Sequence, residues 1–176
     1  LPLVALQILW INFFSDSFPA IAFAFEKNES GVIHRRATNI FEPALRWFAL
    51  GVSFCTSLVL LAAYVLLIGR AYPLETVQST LFVSLGLYTL LLAFSVRSLE
   101  SPQTLRMIFA NRALTIGVMV GAALIFGALY IPGLNKLLHV TPLPWPWVGC
   151  AGLITALNLG IVELAKRWYK SSLVKK

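Results

Sequence analysis

The sequence predicts an all-α integral membrane protein: a bundle of five transmembrane helices, amino end extracytoplasmic and carboxyl end cytoplasmic. Three observations carry that reading. Hydrophobic residues make up 59% of the chain, mean hydropathy is +0.82, and charged residues reach only 12%. A soluble domain carries about twice that share of charge. Next, five apolar stretches have the ~20 residues that a helix needs to cross a bilayer. They lie near 3–25, 45–68, 76–96, 113–131 and 147–165. Finally, with 26–44, 97–112 and the tail after 165 on one side, that side holds twelve of the 14 Lys and Arg residues. Only Arg70 and Lys136 fall opposite. Such an imbalance marks the cytoplasmic side.

The first stretch opens at Leu1 inside an apolar run, with no basic leader, so it reads as part of a longer polypeptide rather than a signal peptide. It also holds Asp16, the only aspartate of the chain. A carboxylate in hydrocarbon costs about 3 kcal/mol on insertion scales and is rarely placed there without a partner or a task. On a helix Asn12 and Asp16, four residues apart, share a face with Ser15 beside them. Pro19 removes a backbone N–H and crowds the carbonyl of Ser15. The helix is therefore expected to loosen where these oxygens cluster, with Pro19 as the helix-breaking residue, leaving carbonyl oxygens free to join a cation site, as at broken helices of transporters.

The remaining stretches carry less chemistry. The second and third are Leu-rich, and their Ser, Thr, Cys and Tyr residues read as packing groups. Gly117 and Gly121 on the fourth form a small-xxx-small pair suited to close packing inside the bundle. Glu163 with Lys166 or Arg167 on the fifth makes an anchoring ion pair. Tyr72, Tyr130, Trp145 and Trp147 are expected at the outer interface, and Trp47, Trp168 and Tyr169 at the inner one. Cys55 and Cys150 show neither metal spacing nor a disulfide framework and read as buried small hydrophobes. His34 and His139 fall on opposite sides and cannot share a metal. The basic charge sets topology and meets anionic lipid, so nucleic acid is not needed to explain it.

Leu6-Gln7-Ile8-Leu9-Trp10-Ile11-Asn12, followed by Ser15-Asp16 and Pro19-Ala20-Ile21-Ala22, closely resembles the sixth membrane helix of cation-transporting P-type ATPases, the calcium and sodium/potassium pumps among them. Arg97 to Ser101 resembles the turn after the eighth helix of those pumps. Pro132 and Pro142-Leu143 resemble the loop before their last helix, and Glu163–Lys166 resembles that helix's end. The resemblance implies that residues 1–176 are a carboxyl-terminal transmembrane domain, helices six to ten. It also implies that Asn12, Ser15 and Asp16 coordinate the transported cation, most readily Ca²⁺. Arg35 and Arg36, in the loop that follows, would then contact the cytoplasmic phosphorylation domain.

Two departures qualify that picture. The residue after the aspartate is commonly Gly in the family and is Ser17 here, which leaves unwinding to Pro19 with less backbone freedom. Leu87 to Phe94, which would match a stretch that can supply a second ion site, offers only Tyr88 and Thr89. One divalent ion at most, a monovalent ion or a proton is implied. The phosphorylation motif and nucleotide pocket of such pumps are not in this chain. ATP and Mg²⁺ would belong to the rest of the pump, whose helices one to five and cytoplasmic domains are, with lipid, the implied partners in a plasma (inner) membrane. Two other readings use the same residues: an ATP-independent secondary transporter or channel subunit, and a structural bundle in which Asp16 merely pairs with another helix. Under the pump reading Asp16 alternates between a cation-bound carboxylate and a protonated, empty state.

Overall fold

The computed structural model describes residues 1–24, 43–97 and 112–174, and these are helical with no strand among them. The first segment comprises α1 (Ala5–Ile11), a π-helical turn (Asn12–Asp16) and α2 (Ser17–Ala24). Helices α3 (Pro43–Gly69), α4 (Leu74–Arg97) and α5 (Arg112–Tyr130) follow, then the short α6 (Leu134–Leu138) and the long α7 (Trp145–Val174). Four of them, α3, α4, α5 and α7, are long and apolar enough to cross a membrane.

Local chemistry sets the ends. Pro43 opens α3, where a missing N–H costs nothing. Pro73 precedes α4, whose first turn carries Glu75 at the positive end of the helix dipole. Pro132 and Gly133, at φ 96°, stop α5. His139, left-handed at φ 51°, closes α6. Helix α7 runs on to Val174, well past the apolar stretch, because polar residues do not stop a helix once it has left hydrocarbon.

Helix α4 stands at the centre. Two-thirds (67%) of its apolar window is buried, against 11% for α3. Phe82, Leu90, Leu114, Ile125, Leu129 and Ile11 form the main core. Helices α4 and α7 run parallel: Thr155 Oγ1 donates to the Ser84 carbonyl at 3.1 Å, and farther along Ser95 donates to Glu163. Glu163 also holds Lys166 at 2.9 Å, the ion pair expected there.

Gly121 and Gly117 serve internal packing. A Cβ on Gly121 would come within 2.5 Å of Leu90 Cδ2, and one on Gly117 within 3.2 Å of the Phe18 carbonyl oxygen. One expectation fails: Cys55 is exposed on α3 and Cys150 on α7 only half-buried, because both helices leave most of their surface uncovered within this chain. Tyr169 ends the last candidate span and is buried against Phe48, with ring centroids 5.5 Å apart. Trp47 and Trp168, by contrast, stand exposed at that same end.

Candidate cation site

The first segment is where the chain departs from regular helix. Asn12–Asp16 form a π turn, with backbone hydrogen bonds to i+5 in place of i+4, between two α-helical pieces. Such turns insert an extra residue and recur at functional sites. The irregularity falls where the oxygens cluster, as the sequence leads one to expect, but it takes the form of a π turn and not of a break at Pro19. Ser17–Ala24, with Pro19 inside it, is α-helical. The helix is widened before the proline instead of being broken at it. An N–H missing at Pro19 can be accommodated by resetting the hydrogen-bond spacing one turn earlier, which leaves fewer backbone groups unsatisfied in hydrocarbon than a full break.

That turn separates the expected ligands. Ser15 is 1% exposed, turned into the bundle, whereas Asn12 is exposed beside Leu9 and Phe13. Residues three apart sit about 60° apart around an α-helix, and a wider turn opens that angle. Asn12 and Ser15 thus lie on different faces, not side by side as an α-helix would place them. The Ser15 hydroxyl is buried with no hydrogen-bond partner among the described residues. The side chains of Asp16 and Pro19 lie outside what the structure describes, as do Arg35, Arg36 and His34 entirely.

Aromatic rings line one strip of the segment and brace the turn. Phe14 stacks between Trp10 at 4.5 Å and Phe18 at 6.2 Å, and Phe13 meets it edge-on at 4.9 Å. Ile11 is buried among Leu90, Leu114 and Val118 of α4 and α5. From α4, Tyr88 turns away to pack with Val52 and Val162, and the Thr89 hydroxyl donates to the Gly86 carbonyl at 3.0 Å. Among the described residues no three His, Cys, Asp or Glu side chains gather as metal ligands. A cation at this turn would meet amide, hydroxyl and main-chain oxygens, the donor set of a hard ion.

Sequence reasoning assigned no partner or role to Gln7, Gln78 or Asn158. Gln7 is completely buried and bonds to the loop after α6, Gln78 Nε2 donates to the Leu1 carbonyl at 2.8 Å, and Asn158 is fully enclosed. The signal was available: a carboxamide in a stretch of aliphatic residues needs partners.

A helical bundle with four helices able to cross a membrane and a polar, irregular turn in its first segment defines a multi-pass integral membrane protein. The family described as "Cation transporting ATPase, C-terminus" matches residues 1–168, and the chain belongs to that family. The chain is 29% identical over 176 residues to a "Calcium-transporting ATPase" of Bacillus subtilis, covering 95% of this chain and 20% of that relative. It is 28% identical over 167 residues to a "Probable cation-transporting ATPase F" of Mycobacterium tuberculosis, covering 90% and 18%. With a "Calcium-transporting ATPase" of Listeria monocytogenes it shares 27% over 143 residues, covering 79% and 16%. The chain therefore spans about a fifth of the length of these curated relatives.

Proposed function

We propose that this chain is the carboxyl-terminal transport segment of an ATP-driven cation pump and supplies part of its cation site from Asn12, Ser15 and Asp16. The observation that carries the reading is the π turn at those residues, in the first segment of a chain that belongs to the cation-transporting ATPase family. Its buried Ser15 hydroxyl, without a partner among the described residues, and its exposed Asn12 amide offer oxygens on two sides of one turn.

Ca²⁺ is the cation we favour, in keeping with the names of the Bacillus and Listeria relatives. It takes 6–8 oxygen ligands, so three side chains need completion from main-chain carbonyls, water and the pump's other helices. Asn12 faces the side this chain leaves uncovered, where such helices would pack. Tyr88 is turned away from the first segment, which favours a single ion on this side of the site. By the Lys and Arg distribution the Leu1 end is extracytoplasmic and α7 ends in the cytoplasm, in a plasma membrane. ATP, Mg²⁺ and the phosphorylated residue belong to other parts of the pump, and by the family resemblance alone Arg35 and Arg36 are the residues assigned to contact its cytoplasmic domains. Proton uptake by Asp16 on ion release would keep the emptied site from burying an uncompensated charge.

The test is Asp16→Asn in the full-length pump. Cation-stimulated ATP turnover should vanish at Ca²⁺ concentrations that saturate the parent. An unchanged Ca²⁺ dependence would remove Asp16 from the transport site.

A further inference from the structure

Gln7 is a polar side chain in a run of aliphatic residues, and it is completely enclosed. Its Nε2 donates to the carbonyls of Leu138 at 3.0 Å and His139 at 3.2 Å, while its Oε1 accepts from the Val4 N–H at 3.1 Å. One carboxamide thus ties the start of the first segment to the turn that closes α6. That turn is itself held in place. Leu138, Val140 and Leu143 are buried, the Tyr130 hydroxyl donates to the Leu143 carbonyl at 2.9 Å, and the Thr141 N–H donates to Ser79 Oγ of α4 at 2.8 Å.

The other end of the segment is fixed differently. Beyond the π turn, the Phe18 backbone lies so close to Gly117 of α5 that a Cβ there would stand 3.2 Å from the carbonyl oxygen. The π turn is therefore suspended between two attachments, a hydrogen-bonded one at Gln7 and a close-packed one at Gly117. Gln7 stands five residues before Asn12, about 7.5 Å along a helix. It is too far to be a ligand and near enough to set where the turn begins.

We propose that Gln7 is a positioning residue for the cation site: it anchors the outward end of the π turn, so that Asn12 and Ser15 are held in their binding geometry before the ion arrives. The inference rests on the cation-site reading above. A preorganised site binds more tightly because less ordering is left to the binding step. Removing the anchor should therefore weaken binding while leaving the chemistry of turnover, which lies elsewhere in the pump, at nearly its full rate.

The experiment measures ATP turnover of the full-length pump against Ca²⁺ concentration for the parent, Gln7→Leu, Gln7→Glu and Ser95→Ala. Gln7→Leu keeps the bulk and loses all three bonds. Gln7→Glu keeps the acceptor for Val4 and loses at least one of the two bonds donated to the loop carbonyls, both when it is ionised. Ser95→Ala removes an interhelical hydrogen bond at the opposite end of the bundle. Gln7→Leu should raise the half-saturating Ca²⁺ concentration about tenfold, equivalent to about 1.4 kcal/mol, with maximal turnover within about twofold of the parent. Gln7→Glu should shift it in the same direction, and Ser95→Ala should leave it unchanged. A Gln7→Leu pump with the parent's half-saturation, or an equal shift in Ser95→Ala, overturns the proposal. If neither Gln7 variant accumulates as folded protein, Gln7 is a folding residue and the proposal also falls. A parent without Ca²⁺-stimulated turnover refutes the Ca²⁺ pump reading itself, a separate outcome.

Discussion

Helices α3 and α4 follow one another in the chain, and both are long apolar helices, yet their surroundings are opposite. Helix α3 is the more apolar of the two and keeps most of its surface uncovered, with Phe54, Leu58, Leu61 and Leu66 all exposed. Helix α4 is the less apolar and is wrapped on most sides. The difference lies in the small and polar residues. The side chains of Gln78, Ser79 and Ser95, with the Ser84 main-chain carbonyl that Thr155 reaches, tie α4 to the first segment, to the loop after α6 and to α7. On α3, Thr56 donates back to the Val52 and Ser53 carbonyls of its own helix, and Tyr88 reaches it from α4. In lipid an aliphatic side chain gains little by leaving the hydrocarbon, so helices associate through close packing and hydrogen bonds. Within this chain the more hydrophobic helix is consequently the outer one, the reverse of a water-soluble fold.

The comparison can be broken most sharply with two phenylalanines. Phe82 on α4 is fully buried and Phe54 on α3 is 65% exposed. Phe82→Ala should destabilise the full-length pump by about 2 kcal/mol, the cavity contribution alone, since lipid removes most of the transfer contribution. Phe54→Ala should cost almost nothing. Thermal inactivation of the two variants in one detergent measures the gap, and equal midpoints would contradict the burial contrast.

A comparable effect comes from glycine. Gly121→Ala places a methyl against Leu90, itself a core residue, and should cost about 1–3 kcal/mol as overpacking. Gly51→Ala on α3 meets nothing within 4 Å and should stabilise by about 0.5–1 kcal/mol through helix propensity. The same inactivation assay should therefore move in opposite directions. Smallest is Ser95→Ala, which severs the α4–α7 bond to Glu163 and leaves the Glu163–Lys166 pair standing. A loss of about 1 kcal/mol is expected. No loss would mean that Glu163 is satisfied by Lys166 alone.

Much of the candidate site was legible in sequence because its chemistry is unusual for where it sits. A lone aspartate with an asparagine and a serine in an apolar run stands out whatever the fold. What could not be read was the hydrogen-bond spacing of that stretch. Pro19 announces a missing N–H, but whether the helix breaks or widens depends on which neighbours hold the backbone on either side. Here the aromatic strip of Trp10, Phe14 and Phe18 and the close approach at Gly117 keep the segment helical throughout. The anchoring role of Gln7 was equally hidden, since its partners lie 131 and 132 residues away.

By itself, then, the sequence determined the solvent, the helical class, the uneven placement of positive charge and which polar residues stand inside the first apolar run. Each follows from composition and local order, because hydrocarbon tolerates only helices or closed barrels and makes every buried polar group conspicuous. Tertiary structure alone decided which long apolar helix became the centre. It also decided that Asn12 and Ser15 look out from different faces of a π turn, and that a glutamine ties that segment to a distant loop. Those outcomes depend on the fit between surfaces far apart in the chain, and neither hydropathy nor periodicity records that fit.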